Sequence, residues 1–189
     1  MRVAARFAIR LLAIVSALWC LAATLPASAQ PQAAPTTPHS AKPPTVLFMC
    51  PHGAAKSVLA SAYFQRVAKE RGLNVRVVSG GTEPDLQVAP AVVTHLTKNG
   101  YDVPIATPRK VTAEDFATAD VVISIGCDLK DLPAPHGELV KWDDVVAPSE
   151  DFARADEQIR ERVVKLIDDL VRKEHDSRGD GRLPRLMVR

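Results

Sequence analysis

The sequence predicts an α/β domain, a three-layer sandwich built on a four-stranded parallel sheet. Three observations lead there. Residues 46–50 (VLFMC) and 121–125 (VVISI) are short, almost wholly apolar runs, the pattern of strands buried on both faces. Elsewhere apolar residues recur at helical spacing, and the two kinds of segment alternate along the chain. Such alternation is what right-handed crossovers covering both faces of a parallel sheet require.

The first strand is the run at 46–50, bounded by Pro44 and Pro51. Residues 57–71 follow as a helix, with Val58, Leu59, Ala62, Phe64 and Val67 on one side, then Lys69, Glu70, Arg71 and a stop at Gly72. The next strand covers 74–79 through Val75, Val77 and Val78, and a second helix covers 90–99, with Val92, Val93 and Leu96 inward and Gly100 as its stop. The Thr112 hydroxyl can cap a short third helix opening Ala113-Glu114-Asp115-Phe116. Strands at 120–125 and 138–142 precede a long amphipathic helix marked by Phe152, Ile159, Val163, Leu166, Ile167 and Leu170. The domain is therefore expected over 45–173, with a disordered tail at 174–189 carrying Gly179, Gly181 and scattered arginines.

Ahead of the domain the composition changes twice. Residues 1–10 carry Arg2, Arg6 and Arg10 and no acid, residues 11–25 are apolar, and Ala27-Ser28-Ala29 before Gln30 is an A-x-A cleavage site. These features predict a signal peptide over 1–29, cleaved near Ala29, and a periplasmic or secreted protein; a retained N-terminal anchor helix is the alternative. Lipidation at Cys20 is disfavoured by the bulk of Trp19 before it. Residues 30–44 hold five prolines (Pro31, Pro35, Pro38, Pro43, Pro44) among Ala, Thr and Gln, which makes an extended solvated linker, with His39 exposed on it.

At 47% hydrophobic and 24% charged residues, the chain has the composition of a globular protein, neither disordered nor fibrous. Outside the three leader arginines, 21 basic residues face 22 acidic ones, so no field directs the protein to nucleic acid or to a membrane surface. Cys20, Cys50 and Cys127 make neither a disulfide framework nor a zinc cluster, and neither a metal nor a cofactor is expected.

The chemistry concentrates after the first strand, where an open α/β sheet binds its ligands. There Cys50-Pro51-His52-Gly53-Ala54-Ala55-Lys56-Ser57 leads straight into a helix. Small residues let the backbone curl its N–H groups inward, and the helix N-terminus adds partial positive charge, together an anion cradle. A cysteine on its rim ionises more easily beside a cation, here Lys56, and the Ser57 hydroxyl is placed to bond its sulfur. A structural cysteine buried at a strand end is the plainer reading of Cys50. His52 reads as a loop histidine beside the cradle, while Arg109, Lys110 and His136 read as surface residues.

The C-x5-[R/K]-S pattern resembles the phosphate-binding loop of the low-molecular-weight protein tyrosine phosphatases and of the thioredoxin-coupled arsenate reductases that share their fold. The resemblance spans residues 45–170 and is nearest the reductase loop Cys-x-His-Asn-Ala-Gly-Arg-Ser, matched by Cys50, His52, Gly53, Ala54, Ala55, Lys56 and Ser57. Ser79-Gly80-Gly81-Thr82 is similar to the family's Ser-Ala-Gly-Thr, Pro90 to the proline before its second helix, and Ala119-Asp120-Val121-Val122-Ile123 to its ADxVI strand. The resemblance implies a Cys50 nucleophile, with residues 51–57 as the oxyanion site, acting on a phosphomonoester or on arsenate.

Three departures bear on activity. Lys56 replaces an arginine that would grip an oxyanion with two parallel N–H bonds, Gly53 replaces a bracing asparagine, and the usual Asp-Pro of the acid loop reads Asp143-Asp144-Val145-Val146-Ala147-Pro148. If register is kept from Pro148, the acid is Ala147 and is missing; if the loop has shifted, Asp144 serves, the choice preferred because Trp142 sits where a Trp does in the reductases. In the arsenate reading Cys127 stands near the place of a redox cysteine, but a further family cysteine is absent, so an external thiol is needed. Cys127 otherwise reads as an inert core thiol. The alternative to an enzyme is an exported relative that binds oxyanions without turnover. Export would also expose Cys50 to oxidation, to a sulfenic acid or to a disulfide with Cys127.

Overall fold

The computed structural model describes residues 42–101 and 107–178. The expected signal peptide, most of the linker and residues 179–189 lie outside this range. Within it the chain runs β1 (Thr45–Cys50), α1 (Lys56–Glu70), β2 (Arg76–Gly81), α2 (Pro90–Lys98), α3 (Ala113–Thr118), β3 (Val121–Ser124), β4 (Glu138–Lys141) and α4 (Phe152–Arg178). All four strands are parallel, in the order β2-β1-β3-β4. The sheet is the one the sequence predicts, and each expected helix is present.

As a central strand, β1 is buried along its whole length, which explains why its sequence does not alternate. Its side chains nevertheless divide by parity. Val46, Phe48 and Cys50 join the larger core with residues of α1, α2 and α4, while Leu47 and Met49 pack with Val111, Phe116, Ala119 and Val122 on the α3 side. Phe48 lies against Phe64 and Trp142, at ring-centroid distances of 5.4 and 6.1 Å. Truncating it to alanine would cost about 3–5 kcal/mol.

Local chemistry sets the element ends. Thr112 accepts the Asp115 N–H while Asp115 accepts from the Thr112 N–H, a complete capping box that opens the six-residue α3. Arg109 grips the same carboxylate with two bonds of 2.8 Å and holds its pKa below the ordinary value. The β3 start is tied to β1 through Asp120, whose carboxylate accepts the Thr45 N–H at 2.7 Å. The helix α4 continues to Arg178, past the expected end of the domain at position 173, because Arg, Lys and Glu favour helix and no breaker intervenes before Gly179. Among the described residues no helix is long and apolar enough to cross a membrane.

Candidate active site

The turn from β1 into α1 places Cys50 and Lys56 on one cleft. Pairing of Cys50 with Gly81 brings β1 and β2 to their carboxyl ends together, and Gly53, at φ +60°, packs so tightly on β2 that a Cβ there would come within 2.7 Å of the Gly81 nitrogen. Only glycine satisfies both the left-handed backbone and the close approach. Three loop carbonyls are taken up by backbone N–H groups: Pro51 O accepts from Glu83 N (2.9 Å), His52 O from Asp85 N (3.0 Å) and Ala54 O from Ala89 N (3.0 Å). Since a trans peptide sets its N–H opposite its C=O, the His52 and Ala55 N–H groups face the other way.

The first turn of α1 completes this cradle. Its N-cap, Ala55, supplies no side-chain acceptor and its first turn holds no acid, so the helix begins with free N–H groups and an uncompensated positive end. Ser57 does not cap. It lies buried beneath the loop, where its Oγ accepts a 3.2 Å hydrogen bond from the Cys50 thiol. Lys56 Nζ rests over Gly126, where a Cβ would come within 2.9 Å of it.

The cleft, about 480 Å³, is lined on the loop side by Cys50, Pro51, His52, Ala55 and Lys56, and on the facing side by residues 89–92, Ala147, Pro148, Ser149 and Phe152. Of the expected oxyanion ligands, Gly53, Ala54 and the buried Ser57 do not line the cleft. Gly53 and Ala54 sit behind the wall, the Gly53 N–H being turned back onto the Cys50 carbonyl at 3.3 Å, and Pro51 lines the cleft but has no N–H to offer.

Asp144 is not in the cleft. Its carboxylate is exposed and pairs at 2.5 Å with Arg162, whose guanidinium also covers the Trp142 ring. That hydrogen bond with Arg162 holds the Asp144 pKa below the ordinary carboxylate value. Ala147, just before Pro148, lines the cleft instead, its carbonyl accepting the Glu150 and Asp151 N–H groups of the turn into α4. The residue expected as the acid thus lies outside the cleft lining, paired with Arg162 on α4.

Cys127 follows β3, half-buried against the α3-side core. Burial pushes its pKa up to about 11, and the neighbouring charge of Cys50 adds to the rise, while the Ser124 hydroxyl and Lys56 act the other way. It is therefore a poor nucleophile at neutral pH.

Two features escaped the sequence reading. His52 Nδ1 lies 3.4 Å from Asp85 Oδ1 at the cleft mouth. Behind the cleft, Asp156 gathers the Tyr63 hydroxyl, His95 Nε2 (3.2 Å) and Arg160 (2.5 Å), and the His95 ring packs on Phe152, a cleft residue, at 5.0 Å. Burial, together with the bond to Asp156, raises the Tyr63 pKa far above its ordinary value. The signal for this cluster was an acid on the apolar stripe of α4, one turn after Phe152.

A family model for low molecular weight phosphotyrosine protein phosphatases matches residues 45–176. The chain belongs to that family. Within it, the similar proteins include both reductases and phosphatases. A Halobacterium salinarum protein named "Putative arsenate reductase" is 29% identical over 127 residues, 65% of this chain and 89% of that protein. The thioredoxin-dependent arsenate reductase of Corynebacterium glutamicum is 27% identical at a TM-score of 0.61, over 68% of this chain but only 62% of its own, so this chain spans less than two thirds of it. A low molecular weight phosphotyrosine phosphatase from Vibrio cholerae, 24% identical at a TM-score of 0.58 over 66% of this chain and 95% of its own, shares the fold.

Proposed function

We propose that the chain is a cysteine-dependent arsenate reductase resolved by an external thiol. The observation that carries this reading is a cleft holding Cys50 at an uncapped helix N-terminus, with Ala147 where a phosphatase of this family would need its acid. A phosphomonoester must expel an alkoxide, and losing the acid that protonates it typically costs about 10²- to 10⁴-fold. Arsenate expels a hydroxyl group, which also needs one proton to leave as water. The reading is also supported by the relatives above 25% identity, which carry the arsenate reductase name.

The Cys50 sulfur attacks arsenic while the His52 and Ala55 N–H groups, the first turn of α1 and Lys56 hold the remaining oxygens. Lys56 acts as a point charge and gives weaker orientation than a guanidinium fork. With Cys127 held largely as a thiol by burial, the S–As adduct is opened by a small external thiol or a dithiol protein, giving arsenite and a mixed disulfide on Cys50. The reduced chain should form arsenite from arsenate with a dithiol reductant, and Cys50→Ser should not, while p-nitrophenyl phosphate turns over slowly. Rapid phosphate-ester hydrolysis without arsenite would identify a phosphatase; saturable arsenate binding without either turnover would identify the binding relative. The N-terminal pattern of residues 1–30 supports export, for which N-terminal sequencing of the exported protein should read from Gln30.

A further inference from the structure

We propose that His52, oriented by Asp85, is the proton carrier of this site, in place of the missing loop carboxylate. The assignment rests on the arsenate reading above and deepens it. Among the residues lining the cleft only Cys50, His52 and Lys56 titrate; no carboxylate is present. Cys50 is the nucleophile, and Lys56, settled over Gly126, must keep its charge to hold the oxyanion. His52 is what remains.

Its setting suits the task. Nδ1 faces the Asp85 carboxylate at 3.4 Å, which leaves Nε2 as the nitrogen free to serve the cleft. The Asp85 N–H bonds the His52 carbonyl at 3.0 Å and the Glu83 N–H bonds the Pro51 carbonyl at 2.9 Å, so backbone contacts hold the carboxylate and imidazole in register. The titratable groups near the ring are Asp85 and Glu83 on the β2–α2 connection and Cys50 and Lys56 on the same wall of the cleft. A carboxylate behind the far ring nitrogen orients an imidazole.

The proton balance closes over one turnover. As the Cys50 sulfur bonds to arsenic, one As–O bond breaks, and His52 passes its Nε2 proton to that oxygen, so water leaves and the ring becomes neutral. An external thiol then attacks the Cys50 sulfur and gives up its proton to His52. The S–As bond breaks with its electron pair retained on arsenic. Arsenic passes from As(V) to As(III) and takes a proton from water to leave as arsenite, the Cys50 sulfur and the external thiol become a mixed disulfide, and His52 is protonated again. A second external thiol then attacks that disulfide and releases Cys50 as a thiolate, which completes the turnover.

The test measures kcat and KM against pH for arsenate reduction by the full chain with a dithiol, in wild type, His52→Gln, Asp85→Asn, Asp85→Glu and Cys50→Ser. His52→Gln should lower kcat by about 10²-fold with little change in KM and lose the alkaline limb of the profile. Added imidazole should restore part of the activity of His52→Ala, a recovery that a folding defect would not give. Asp85→Asn should lower kcat several-fold and Asp85→Glu should recover it. An unchanged kcat and profile in His52→Gln, with Cys50→Ser inactive, overturns the role of His52 alone. Absence of any Cys50-dependent arsenite overturns the arsenate reading, and this role with it.

Discussion

The two walls of the cleft have diverged differently. On the β1–α1 wall the nucleophile, the uncapped helix N-terminus and a cation remain, with Lys56 in place of arginine the main loss. On the β4–α4 wall the fold persists, through Trp142 buried against Phe48 and the turn around Ala147, but no carboxylate lines the cleft and Asp144 pairs with Arg162. Anion binding and proton donation are thus separable properties of this architecture. A site can keep the first while the second passes, in our proposal, from the β4–α4 wall to His52 on the other.

Breaking the intact wall should have the largest effect: Cys50→Ser removes the attacking sulfur, and arsenite formation should fall to the uncatalysed background in a coupled reductase assay. Repairing the altered wall comes next. Ala147→Asp places a carboxylate on the cleft beside Pro148 and should raise p-nitrophenyl phosphate hydrolysis by about 10²-fold, read in steady-state kinetics. Lys56→Ala removes one charge-assisted contact to the oxyanion and should weaken arsenate or phosphate binding by about 10- to 10²-fold in calorimetry. Cys127→Ser should leave turnover intact, since an external thiol resolves the adduct.

Asp144→Asn should have the smallest effect, leaving kcat within about twofold because the exposed pair with Arg162 is not part of the cleft lining. Its signature is in stability against pH. Arg162 depresses the folded pKa of Asp144, so the pair stabilises the protein above the ordinary carboxylate pKa of about 4, and the contribution disappears as pH falls through the lowered value. Thermal melts of wild type and Asp144→Asn should therefore differ slightly at neutral pH and converge in acid.

Most of the sheet was legible because burial writes itself into sequence: the apolar run of β1 and the Thr112 capping box need no tertiary information. The β2 strand was placed too early, over 74–79, because its end is Gly80 and Gly81, chosen for contact with Gly53 and Arg109 rather than for strand propensity. The position of Cys50 was legible from the strand-to-helix turn, but the fate of Asp144 was not, since it depends on Arg162, 18 residues away in sequence. His52 and Asp85 lie on separate loops, and nothing local in either marks the other. The Asp156 cluster likewise joins α1, α2 and α4, and only an acid on an apolar stripe announced it.

The central claim is that Cys50 takes arsenate through an S–As adduct that an outside thiol opens. A single turnover of the reduced chain with arsenate and a monothiol such as 2-mercaptoethanol, followed by peptide mapping and arsenite quantification, tests it directly. The account predicts one arsenite per chain, with the monothiol in mixed disulfide on Cys50 and Cys127 still reduced. Arsenite accompanied by a Cys50–Cys127 disulfide, or no arsenite with Cys50 unmodified, would contradict it.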